Sequence, residues 1–127
     1  MRERQTIKTV ALPAAGSSAL TGAINVGSFN LGARAEIHLE LEALPSLADD
    51  KTATVELHES DTEGGSYTAM PTTGGMSVVG ASSAGAAAKL FRLYLPPVHK
   101  AWIKGKVTVQ ASGGDNTAKK LTLAIDL

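Results

Sequence analysis

Between Lys89 and Gln110 the chain reads KLFRLYLPPVHKAWIKGKVTVQ, two runs of alternating apolar and polar residues on either side of a proline pair. Phe91, Leu93 and Leu95 alternate with Arg92 and Tyr94, and Ile103, Val107 and Val109 then alternate with Lys104, Lys106, Thr108 and Gln110. A period of two sends successive side chains to opposite faces of an extended strand, so each run predicts a strand with one face in a core. Neither Pro96 nor Pro97 has an N–H for a ladder, so the pair marks where one strand leaves its sheet and the next begins.

The same period recurs along the chain. Arg4 to Leu12 mixes β-branched and polar residues and stops at Pro13, which predicts an edge strand, with residues 1–5 as an N-terminal arm. Pro13 to Leu20 reads as a small-residue turn, and Ile24 and Val26 share one face of a short strand after it. Ile37, Leu39 and Leu41 oppose Glu36, His38, Glu40 and Glu42, predicting one core face and one acidic, wet face. Thr52 to Ser60 repeats the pattern, and the short connection with Pro45 and Asp49-Asp50 predicts a hairpin of these two strands. Thr68 to Met70 and Met76 to Val79 read as brief strands, the latter inside a small-residue segment, 72–88, that suits a contact loop. Leu121, Leu123, Ile125 and Leu127 face one way in a final strand.

About eight candidate strands and no amphipathic helix predict an all-β fold, an antiparallel jelly-roll-like β-sandwich, in one domain spanning 1–127. An immunoglobulin-like sandwich is the alternative, although its Cys-Trp-Cys hallmark is absent.

Charge and composition narrow the partners. Twelve basic residues balance twelve acidic ones, which argues against nucleic acid or an anionic membrane as main partner and removes the repulsion that opposes self-association. The absence of cysteine excludes disulfides, thiolate metal sites and a cysteine nucleophile. No apolar run of signal or membrane-span length follows MRERQTIK, so cytoplasm-like conditions are expected.

Reactive groups are few. His38 and His58, flanked by Glu36, Glu40, Glu56 and Glu59, would come within reach of each other if their strands paired, and imidazole with carboxylate is a weak divalent-metal candidate. Asp61, Glu63 and Asp115 in glycine-rich turns carry oxygen ligands suited to calcium but lack the EF-hand spacing. No nucleophile elbow and no phosphate loop is present, and no cofactor is expected. Arg92, His99, Lys100, Lys104 and Lys106 with Tyr94 and Trp102 form a basic, aromatic-bearing group better suited to an acidic protein surface than to single-stranded nucleic acid. Trp102 itself reads as core plug or interface anchor.

Four of these segments carry a resemblance. The early strand TGAINVGSF, the Ser60-Asp61 step with Tyr67 after it, the Phe91–Pro97 segment and the final KKLTL strand resemble small virion proteins of tailed bacteriophages, in particular the Bordetella phage-type capsid cement family. The N-terminal strand and the alanine-glycine segment depart from that family's pattern. The resemblance implies a non-enzymatic, homo-oligomeric jelly roll, dimer or trimer, made in a host cytoplasm and bound to the major capsid protein on the virion exterior. For a protein of that kind the contacts expected in this chain are the N-terminal arm with Arg2, Arg4 and Ile7, the small-residue loop with Met76 and Val78, and Trp102. Two other functions remain open at this point: a carbohydrate- or receptor-binding tail module, which needs exposed aromatics, and a small metal-dependent enzyme, which needs His38 and His58 turned inward.

Overall fold

The alternating runs fold into two antiparallel sheets packed face to face. A computed structural model describes residues 4–27, 36–70, 76–94 and 99–126, without the side chains of 4–6 and 126. The strands are β1 (Arg4–Ala11), β2 (Ser18–Leu20), β3 (Ile24–Asn25), β4 (Glu36–Leu41), β5 (Thr52–Ser60), β6 (Thr68–Ala69), β7 (Met76–Val79), β8 (Lys89–Tyr94), β9 (Trp102–Val109) and β10 (Lys120–Asp126). One sheet runs β1-β10-β4-β8; the other has β9 and β5 at its centre, with β2 and β3 end to end along β9 and β6 and β7 end to end along β5.

Counting each end-to-end pair as one strand, the chain nests first against last, second against seventh, third against sixth and fourth against fifth. That is jelly-roll wrapping, two Greek keys closed into a double sheet. It also sets aside the immunoglobulin-like alternative, because β1 lies beside β10 and not beside the next strand in sequence.

The core lies between the sheets and is aliphatic. Ile37, Leu39, Leu41, Leu121, Leu123 and Ile125 enter it from one side, and Ala53, Val55, Leu57, Ile103, Val107 and Val109 from the other, nearly all without solvent contact. Each such aliphatic side chain contributes on the order of 1.5–3 kcal/mol by leaving water. Gly105 interrupts the apolar rhythm of β9 for a steric reason: a Cβ there would stand 2.8 Å from Leu39 Cδ2 of the facing sheet.

Three expectations are corrected. Ser18–Leu20, read as turn, is a strand; it is too short for its own alternation to register and exists because β9 pairs with it. The hairpin of β4 with β5 does not form, since the two belong to different sheets. Their connection steps across the sandwich, with Leu44 and Leu47 buried and Leu44 exchanging two backbone hydrogen bonds with Ala86, at 2.8 and 2.9 Å. The polar face of β4 is not uniformly wet, because His38 is buried there. The proline corner, residues 95–98, lies outside the described residues; the runs flanking it are β8 and β9, one in each sheet.

Candidate functional site

The two histidines are built alike and kept apart. On β4 the inward Ile37 and Leu39 send Glu36 and His38 to the outer face of their sheet; on β5 the inward Val55 and Leu57 do the same for Glu56 and His58. His38 Nε2 meets Glu36 Oε1, and His58 Nε2 lies 3.4 Å from Glu56 Oε1. The outer faces of two packed sheets point in opposite directions, so the shared His38–His58 metal candidate is corrected: the core lies between them. The glutamates flanking the histidines divide for the same reason, Glu36 on one outer face and Glu56 on the other, while Glu59 pairs with the core residue Ile103 and belongs to neither. Among the described residues no three His, Asp or Glu side chains group as a metal-ion site.

The calcium candidates divide too. Asp61 follows the end of β5, where Ser60 faces Trp102, and lies 3.9 Å from Lys100 Nζ. Asp115 follows the opposite end of β9 and spends its carboxylate on Thr117, accepting from the hydroxyl at 2.7 Å and the backbone N–H at 3.1 Å. Those two bonds hold the Asp115 carboxyl below its ordinary range, the hydroxyl bond contributing most. Nearby, Asn116 donates to Gly113 O at 3.2 Å inside the buried turn.

The basic group is distributed over both sheets. Arg92 pairs in register with His38 on one outer face, while Lys104 and Lys106 stand on the other, opposite His58 and Glu56. Lys104 Nζ sits 4.5 Å from the centre of the Tyr67 ring, and Tyr67 donates its phenol to Glu63 O at 2.8 Å. Partial burial, and then the negative charge of Glu63, raise the Tyr67 phenol above its ordinary pKa. Trp102 is half-buried, in register with Asn25 and Ser60 at the edge of this face.

The remaining contact candidates fall in three places. Ile7 is 52% exposed on β1. Val78 is a core residue and Met76 packs partly buried against that core, so neither presents a free surface. Arg2 and the side chain of Arg4 lie outside the described residues, as do residues 71–75 of the expected contact loop. The rest of that loop is tied down: Gly80 and Ala86 bridge to Asp49 and Leu44, and Ser83 N–H donates to Asp49 Oδ1 at 2.9 Å.

What sequence reasoning missed is the position of the exposed apolar residues. Ile7, Leu20, Val79 and Tyr94 are the large hydrophobics with substantial exposure among the described residues, and each stands on a different edge strand: β1, β2, β7 and β8. Pro13 marks β1 as an edge strand in the sequence, but no alternation pattern distinguishes β2, β7 and β8 from central strands, so the order of the strands reveals these. An open hollow of roughly 420 Å³ lies beside one of these edges, lined by Glu40–Ala43 and Ala88–Leu90. Glu42 in its lining accepts the Lys120 N–H at 2.7 Å. Compared with known protein families and with curated proteins, the chain matches no family model and no curated sequence.

Proposed function

We propose that this chain is a structural binding protein of a virion, a jelly roll that sits on the exterior of a phage capsid and ties neighbouring major-capsid-protein subunits together. The observation carrying the reading is the placement of one exposed apolar residue on each of the four sheet edges, Ile7, Leu20, Val79 and Tyr94. A sandwich with an exposed apolar residue on every rim and a tightly packed core in its middle suits a part wedged between other proteins and touching several at once. The assignment of those proteins to a capsid comes from the sequence resemblance.

The mechanism is then multivalent attachment. Each rim contact is small, but contacts made by one rigid body to several subunits reinforce one another, because the second engagement is intramolecular once the first is made. The protein supplies no reacting group. It resists separation of the subunits by requiring many modest contacts to break together. Balanced charge favours association with its own copies, and the host cytoplasm is where it would be made before shells are decorated.

The test is to mix the purified protein with undecorated capsid shells, sediment the shells and count bound copies. A fixed stoichiometry that saturates, together with shells that withstand more heat, supports the reading. Protein that stays in the supernatant overturns it.

A further inference from the structure

The two sheets treat their edges differently, and that difference points to how copies of this chain join. In the β9-β5 sheet both rims are broken into pieces of two to four residues. Short, interrupted edges are a standard way of preventing one sheet from adding to another. The four-stranded sheet has no such protection: its rims are β1, eight residues long with an irregularity only between Arg4 and Thr6, and β8, six residues long. No described strand lies beyond either of them.

Hydrogen-bond alternation tells which groups each rim offers. Leu12 N–H donates to Lys119 O at 2.9 Å, so the even residues of β1 face β10, and the N–H and C=O of Ile7, Thr9 and Ala11 point away from the sheet. Glu42 N–H donates to Lys120 O at 3.2 Å, so the even residues of β4 face β10 and its odd residues face β8. Carried through the β4–β8 register, this turns Phe91 toward β4 and directs the backbone groups of Leu90 and Arg92 outward.

We infer that β8 of one copy pairs antiparallel with β1 of the next, Leu90 opposite Ala11 and Arg92 opposite Thr9, extending the four-stranded sheet from molecule to molecule. Neighbouring strands in this sheet all run antiparallel, so a second copy in the same orientation presents β1 to β8 in the required direction. The register makes about four backbone hydrogen bonds from these two pairs. It also sets Tyr94 against Ile7, joining two of the exposed apolar residues, and Phe91 against Val10 on the core side, with no like charges opposed. The symmetric alternative, β8 on β8, stacks Arg92 against itself in the register that pairs Leu90 with Tyr94, and like charges directly opposite are destabilising. A contact between two different edges is heterologous, so it closes into a ring or continues as a filament.

This inference deepens the self-association in the reading above and rests on it, but it is tested without capsid shells. The chain has no cysteine, so introduced pairs report cleanly. Thr9 and Arg92 of one copy are separated by three strand spacings, about 14 Å, beyond the roughly 7 Å Cα limit for a disulfide. The Thr9→Cys/Arg92→Cys variant should therefore oxidise to a reducible ladder or closed ring, while each single variant stays unlinked. Dimers from Arg92→Cys alone would establish the symmetric β8 contact, and dimers from Thr9→Cys alone a β1–β1 contact; either overturns the inference. In sedimentation, the unmodified protein should run as an oligomer and Arg92→Pro as a monomer with an unchanged far-ultraviolet spectrum. A monomeric unmodified protein overturns the inference as well. Intact self-association with no shell binding would remove the capsid reading and leave the edge contact standing.

Discussion

The two sheets share one core and differ at their rims. The β9-β5 sheet has edges chopped into β2, β3, β6 and β7, while the β10-β4 sheet ends in the long strands β1 and β8. The break between β2 and β3 has a visible cause. Thr21 is buried there; its N–H donates to Gly105 O at 2.9 Å, and its hydroxyl accepts the Gly105 N–H at 3.0 Å and donates to Gly22 O at 2.9 Å. The backbone N–H of Thr21 makes the ordinary ladder bond, but its hydroxyl takes the Gly105 N–H that the carbonyl of a continuous edge strand would have accepted. The lesson is that a side-chain hydrogen bond can interrupt an edge strand, whereas β1 and β8 run for eight and six residues.

The largest expected effect tests the part the sheets have in common. Leu39→Ala, at a site with no solvent exposure and facing Gly105 of the other sheet, should lower stability by about 2–5 kcal/mol, read from urea unfolding. A single transition would show both sheets failing together; two transitions would separate them.

Next comes a pair of prolines on β8. Leu93→Pro removes an N–H directed at β4 and should cost more stability than Arg92→Pro by at least about 1 kcal/mol, because only the former loses a bond of the native ladder. Equal losses would show that the assignment of outward-facing groups on this edge is wrong. Thr21→Val keeps the shape and removes the hydroxyl, leaving the Gly105 N–H without its partner. The expected loss is about 1–3 kcal/mol, with faster amide exchange at Gly105. Unchanged exchange would mean that the hydroxyl does not hold the interruption.

The smallest effect concerns the turn after β9. The Asp115 carboxyl is held below its ordinary range, so its contribution is complete above the unfolded-state pKa and is lost as the pH falls through the lower folded-state value. Because the group is exposed, the change should be slight. Thr117→Val should move the Asp115 titration midpoint upward when followed by carboxyl NMR shifts, and an unmoved midpoint would detach the shift from Thr117.

Much of this architecture is legible in the residues. Phe91 and Leu93, Ile103 to Val109, Ile37 to Leu41 and Leu121 to Ile125 declare their strands through alternation, since only burial on one face rewards that pattern. The candidate site was much less legible. His38 and His58 look alike and close in sequence terms, yet they sit on opposite outer faces, because pairing partners come from distant parts of the chain. Val78 reads as part of a loose contact loop and is a core residue, because β5 pairs with its strand.

Side-chain chemistry was therefore enough to decide the long strands and the apolar face each turns to the core, because alternation is a local property of the backbone, but not the three-residue β2 or the burial of His38. Which strands became neighbours, and which rims besides the one Pro13 marks remain open, came only from the closing of the sandwich. Those choices depend on contacts between residues far apart in the chain, and no local period encodes them.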